Sequence, residues 1–354
     1  GIEHNKVKPY WLGVLLIVTF GTGRARQPCP KPLWTEDLVR GYQYRDFALV
    51  KHSRNQSPPL WDREQGVVFI STSALAVYQV LERDDLPPLQ PRHESGGGGR
   101  YLLQIVFFDT IQGKSLGTIR LATSGVEPSG VYPTHDGSFL VKTGNSLRLY
   151  SSKLEQIAFK QLPRSDSDSP QALIISVSPS GQLVYVAYRP SAERDVLDAD
   201  TLGLLPNSQR GDWDADANPK ALNFVAKDTS CPWAYGKLTP KYFVGYGCKE
   251  LKIISSDGQL LWDIPESEQV VRVLGNETRL VAELQHHRAN PLDLDLVPKP
   301  LGLVIYDLIT RSERCRIPAQ FKPLAGESPA IYFALSKTGG IAVVQQNALS
   351  FYNP

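Results

Sequence analysis

One pattern recurs along this sequence and limits what the chain can become: a polar turn, a short β-rich run, a tight break, and often a second run ending near an aromatic residue. It appears as Gln65-Gly66-Val67-Val68-Phe69-Ile70-Ser71 with Ala74-Leu75-Ala76-Val77-Tyr78, and again as Asp136-Gly137-Ser138-Phe139-Leu140-Val141 with Ser146-Leu147-Arg148-Leu149-Tyr150. Further copies begin at Pro179, Lys241, Glu277 and Thr338, which makes six in all. From about residue 35 onward the apolar period is close to two rather than 3.6, as expected of strands whose side chains alternate between two faces. A second pattern, a strand, an Asp-led turn and another strand, lies around Asp109, Asp257 and Asp307. An Asp carboxylate suits such turns because it can accept from backbone N–H groups just ahead of it.

The copies are unevenly spaced and average about 55 residues, room for a four-stranded unit of about 40 to 50 residues plus loops. A small sheet that is apolar on both faces cannot bury both alone. Stacking such sheets radially hides the faces and leaves only short edges. The expected fold is therefore an all-β propeller of six or seven blades, each a short four-stranded antiparallel sheet, spanning residues 30–354. The segment from Trp34 to Leu60 is expected to lend a strand that closes the ring against the last copy.

The runs Ser178-Pro179-Ser180-Gly181, Asp109-Thr110-Ile111-Gln112-Gly113-Lys114 and Ser336-Lys337-Thr338-Gly339 resemble the turn signatures of WD40-like and YVTN-type bacterial propellers. The chain as a whole is similar to a group of uncharacterised exported propeller proteins of soil bacteria. It departs from true WD40 repeats in lacking the Gly-His and Trp-Asp pair of each blade, with Trp262-Asp263 standing alone. The resemblance implies architecture more than activity, because one fold hosts unrelated functions.

Composition removes several classes of function. Lys+Arg 38 against Asp+Glu 36 gives a net charge of +2 in 354 residues, with 21% charged, so neither a polybasic nucleic-acid binder nor an acidic disordered tail fits. The sequence contains no Met and starts at Gly1, so its true start is expected upstream. Lys6 and Lys8 precede the apolar run Tyr10 to Phe20, followed by Gly21-Thr22-Gly23 and Arg24-Ala25. A positive stretch, an apolar run about half the length needed to span a bilayer, and small residues behind it read as a cleaved secretory signal over 1–25. Export to a secreted or periplasmic location would let Cys29, Cys231, Cys248 and Cys315 oxidise, with three connectivities open on paper. The bridge expected is Cys231 to Cys248, the two nearest in sequence. The bland alternative is four small buried apolar residues.

Candidate chemical sites are sparse. Asp212-Trp213-Asp214-Ala215-Asp216-Ala217-Asn218 copies the alternating oxygens of a calcium loop, but Ala217 stands where Gly is needed and Asn223 where Glu is needed. His286-His287 has no third ligand at a fixed spacing, and His135-Asp136 reads as a turn cap before it reads as an orienting pair. Ser95-Gly96-Gly97-Gly98-Gly99-Arg100 lacks the Lys-Ser/Thr and helix of a phosphate cradle. Trp61, Trp213, Trp233 and Trp262 could line a ligand face, although wide rings also fill gaps between blades. Asn55-Gln56-Ser57 and Asn276-Glu277-Thr278 fit the glycosylation triplet and are expected to be unmodified. No Gly-x-Ser-x-Gly or P-loop occurs. No catalytic residue, cofactor or metal is assigned. The sequence thus points to a monomeric, non-enzymatic binding or scaffold module with a protein or envelope partner, its face built by the insertions Glu82 to Arg100, Asp195 to Lys220 and Gln285 to Pro300. The rival reading is a lactonase-type or quinoprotein-type enzyme, the latter suggested by Asp257-Gly258-Gln259-Leu260-Leu261-Trp262.

Overall fold

The computed structural model describes residues 27–38, 47–49, 65–83, 101–123, 129–163, 172–178, 180–189, 194–206, 233–247, 249–286, 300–320, 330–345 and 347–354. Its strands form six antiparallel sheets. The first sheet holds β2 (Phe47–Leu49), β3 (Gln65–Phe69), β4 (Ala74–Arg83), β5 (Tyr101–Asp109) and β6 (Ser115–Thr123). The second is β7 (Gly130–Pro133) to β10 (Gln156–Gln161), with β8 (Phe139–Thr143) and β9 (Ser146–Tyr150) between. The third is β11 (Ala172–Val177), β12 (Leu183–Arg189) and β13 (Arg194–Asp198). The fourth runs through β14 (Trp233–Lys237), β15 (Tyr242–Gly247), β16 (Glu250–Ser255) and β17 (Leu260–Pro265). The fifth comprises β18 (Gln269–Gly275), β19 (Arg279–Gln285), β20 (Pro300–Asp307) and β21 (Ser312–Pro318). The sixth joins β22 (Tyr332–Leu335), β23 (Ile341–Gln345) and β24 (Ala348–Tyr352) to β1 (Trp34–Asp37).

Each sheet is one blade of a β-propeller, and the six sequence copies fall one to a blade. Apolar side chains on both faces explain why. Along β5, Leu103, Ile105 and Phe107 face the second blade while Val106 and Phe108 face the sixth, and all five are buried. Equivalent clusters fill the interfaces between blades two and three, four and five, and five and six. The chain between blades three and four, 207–232, lies outside the described residues.

Two blades depart from four strands. In the first, β4 is ten residues long, so β3 pairs only with Leu75 to Gln79 and β2 takes Leu81 to Arg83. In the third, the outer strand shrinks to a bridge between Leu197 and Leu204 and a bond from Leu205 N to Val196 O, before Pro206. Proline has no N–H to extend a ladder. Arg194 to Asp198 form a strand, so the insertion expected from Asp195 begins later than the sequence suggested.

The ring closes through the amino-terminal segment. β1 pairs with β24 in the register Trp34 to Phe351, and the Trp34 ring stacks on Phe351 and Phe108. Trp34 Nε1 donates to Thr110 O of the first blade at 2.9 Å. Gly113, at φ +70°, leaves room for that ring, since a Cβ there would lie 2.6 Å from it. Just upstream, Cys29 forms a disulfide with Cys315 on β21, flanked by bonds from Cys29 N to Arg316 O and from Arg316 N to Gln27 O. One short segment therefore ties the outer strands of two blades.

Candidate functional site

The connections at one end of the ring are all short, while the other end carries every long segment together with tight hairpins such as Thr143 to Ser146 and Gln345 to Ala348. At one end, the turn from the first to the second strand of a blade is capped by a small polar side chain: Ser71 takes Ala74 N, Ser178 takes Leu183 N, Thr239 takes Tyr242 N, Asn276 takes Arg279 N and Ser336 takes Gly340 N. The turns from third to fourth strand lie at the same end, because Thr110 N reaches Ser73 O, Ala199 N reaches Gln182 O, Ser256 N reaches Lys241 O and Leu308 N reaches Thr278 O. Asp109 and Asp307 lead their turns as expected, each carboxylate accepting two backbone N–H bonds. Asp198 does the same in blade three and was not recognised from the sequence. In blade four the leader is Ser255, which takes Gln259 N and donates to Asp257, correcting the Asp257 reading. Segments 84–100, 124–128, 164–171, 207–232, 287–299 and 321–329 all join strands at the opposite end and lie outside the described residues.

The short-turn end is stitched between blades. His135 N donates to Gly181 O, and its ring nitrogens meet Asp136 at 3.2 Å and Asp200 of blade three at 2.8 Å. Gly181, at φ +78°, permits this approach, since a Cβ would lie 2.4 Å from His135 N. With a carboxylate at each nitrogen, His135 is a clamp between turns rather than a base for a hydroxyl. Asn276 Nδ2 donates to Ser336 O at 2.8 Å, so the amide nitrogen that glycosylation would use is part of a blade contact. Lys241 meets Glu277 at 3.4 Å.

Buried polar groups gather toward the loop end. Gln65, Gln79, Gln104 and Arg120 are register partners across four strands of blade one, and Gln79 Nε2 is buried with no hydrogen-bond partner among the described residues. Arg120 Nε donates to Gln104 at 2.9 Å. Between blades four and five, buried Glu266 accepts from Tyr306 OH and from Arg316, whose guanidinium also binds Glu313 at 2.8 Å through two nitrogens. Burial opposes the Arg316 charge, but the bonds to Glu313 and Glu266 prevail and raise its pKa. Arg272 bridges blades five and six, meeting Glu283 at 3.1 Å and lying 4.2 Å above the Phe333 ring.

Of the sequence candidates, Trp262 packs edge to face on Tyr306 between blades and is a core residue. His286 pairs with Glu268 at 3.6 Å. His287, Cys231, Cys248, Asn55, Trp61, Trp213, 1–25, 95–100 and 212–218 lie outside the described residues, as does the side chain of Trp233. Among the described residues no cluster of three or more His, Cys, Asp or Glu could hold a metal, and no helix is long and apolar enough to cross a membrane.

No protein-family model matches this chain, and no curated protein matches it in sequence. Its fold is similar to solved structures at low identity. Hsv2p of Kluyveromyces lactis shares 11% identity over 79% of this chain and 88% of its own, with a TM-score of 0.42. BamB of Moraxella catarrhalis shares 8% over 82% and 84%, with a TM-score of 0.34. A protein of unknown function from Bacteroides caccae shares 13% over 71% and 81%, with a TM-score of 0.33.

Proposed function

We propose that this propeller is an exported, non-enzymatic binding or scaffold module of the cell envelope that engages a protein or envelope component through its loop end. The observation that carries this reading is the segregation of connections: capped, cross-stitched turns at one end, every long connection at the other. A rigid ring that holds variable loops on one side is how scaffolds present binding surfaces. The Cys29–Cys315 disulfide supports export, because such bonds persist in oxidising compartments and are reduced in most cytosols. The test replaces 84–100 and 287–299 with Gly-Ser linkers and compares cross-linked partners recovered from the envelope by the parent and the variant. Loss of a reproducible partner with an unchanged melting curve is expected. Unchanged recovery, turnover of lactones, or a bound-quinone spectrum after reconstitution would overturn the reading.

A further inference from the structure

The three most exposed large apolar side chains among the described residues are Ile111 at 78%, Ile309 at 73% and Leu33 at 63%. Scattered exposed aliphatics need no explanation, but these three share a place. Ile111 tips the outer turn of blade one and Ile309 the outer turn of blade five. Leu33 precedes β1 of blade six, between them, its N–H bonded to Phe351 O at the same end. The corresponding turns of blades two, three and four present Ser152 and Lys153, Asp200 and Thr201, and Ser256 and Asp257. Cations accompany the aliphatic tips: Lys31, Lys114, Arg311 and Lys337 lie on the same three blades, exposed, and none is ion-paired to a described carboxylate. The nearby acids are already engaged, Asp109 and Asp307 by their own turns and Glu313 by Arg316.

We infer that this arc over blades five, six and one docks the propeller on an anionic lipid surface, leaving the loop end facing away. Single aliphatic side chains standing on tight turns can enter the acyl boundary separately, while the cations meet anionic headgroups. A protein partner would call for an aromatic or arginine anchor in a packed centre, whereas the arc is a discontinuous row of aliphatic tips. The inference uses the short-turn end alone and does not depend on what the loop end binds.

The test is co-sedimentation of the full chain with phosphatidylcholine vesicles, with and without phosphatidylglycerol, at low and high salt. Binding to the anionic vesicles at low salt is expected, weakening as salt screens the cations. The double substitution Ile111→Ser, Ile309→Ser should lower the partition coefficient at least tenfold. Lys114→Gln with Arg311→Gln should remove about thirtyfold of the preference for anionic lipid at low salt. Leu204→Ser, an exposed aliphatic on the opposite blade three, should change nothing. Melting curves confirm that each variant folds. Absence of anionic vesicle binding at low salt, equal binding by the double Ile variant, or an equal loss in Leu204→Ser would overturn the inference.

Discussion

The Cys29–Cys315 bridge offers a quantitative test of how the ring is closed. It links residues 286 apart in sequence, and the loop-closure relation gives about 5 to 6 kcal/mol of stabilisation, acting through the unfolded chain. With an unfolding entropy of about 2.1 cal/mol/K per residue, a chain of this size loses about 0.7 kcal/mol per degree near its midpoint, so Cys29→Ala should lower Tm by about 8 °C. The substitution should not open the ring at room temperature, because Trp34 and Leu38 still anchor β1 in the apolar seam between blades six and one. Far-UV circular dichroism at 25 °C should therefore be unchanged while the melting curve moves. Reducing the parent protein should reproduce at least that shift. Reducing Cys29→Ala reads out any second bridge: Cys231–Cys248, a much shorter loop, would add about 3 kcal/mol, or about 4 °C. We propose that second pairing, and a non-reducing peptide map checks it directly. A shift below about 2 °C in Cys29→Ala would refute the closure argument.

Other perturbations act on single contacts. Gly113→Val places a side chain against the Trp34 ring at a φ that β-branched residues avoid, and should cost at least about 2 kcal/mol in denaturant unfolding. Arg316→Ala removes the cation paired with the Glu266 carboxylate, which is only 2% exposed and keeps its bond from Tyr306 OH, and should cost about 3 kcal/mol. In that background Glu266→Gln should recover part of the loss. The Asp307 pKa is lowered chiefly by the Thr310 N–H bond, with further help from the Thr310 hydroxyl, Ile309 N–H and Arg314, against a smaller opposing effect of burial. Its contribution to stability is thus present above the unfolded carboxyl pKa near 4 and is lost as pH falls through the lower folded value. Asp307→Asn should lower the melting temperature above about pH 4 and flatten its decline as the pH falls from there through the lowered folded value.

The architecture was legible because its cause is local. An apolar run such as Ile105-Val106-Phe107-Phe108 can be read directly as a strand buried on both faces, and a small antiparallel sheet of that kind leaves few arrangements besides a ring. The closing strand was legible only as a segment: of the stretch Trp34 to Leu60 expected to close the ring, Trp34–Asp37 is the part that pairs with the last strand. The disulfide was not legible. The geometry that joins Cys29 to Cys315 exists only once closure brings the first segment beside β21, and the expected Cys231–Cys248 pairing lies outside the described residues. The capping series was half legible: Asp at 109 and 307 stood out, while Ser255 and Asp198 do the same work without a distinctive neighbourhood, because a hydroxyl or a carboxylate can take the same N–H bonds.

Global composition concealed the surface for the same reason that it revealed the class. A net charge of +2 excludes a chain built around polyanions, yet it is an average over a molecule whose acids are unevenly employed. Where a carboxylate leads a turn, as at Asp109 and Asp307, its charge is drawn into backbone N–H groups. Where an arginine holds it, as at Glu313, it is neutralised within one strand. The first happens on blades one and five and the second on blade five, where Glu277 is also paired with Lys241, so the cations beside those turns face solvent with little local opposition, while Asp200 and Asp257 remain exposed on blades three and four. Polarity of the face follows from which side chains the turn tips carry, since Asp198 leads the blade-three turn as Asp109 and Asp307 lead theirs, yet the tips there are Asp200 and Thr201 rather than an isoleucine. Exchanging the Asp307 to Arg311 turn for the Ser255 to Gln259 sequence removes Ile309 and Arg311 together, and should abolish the arc's lipid preference while leaving the fold intact.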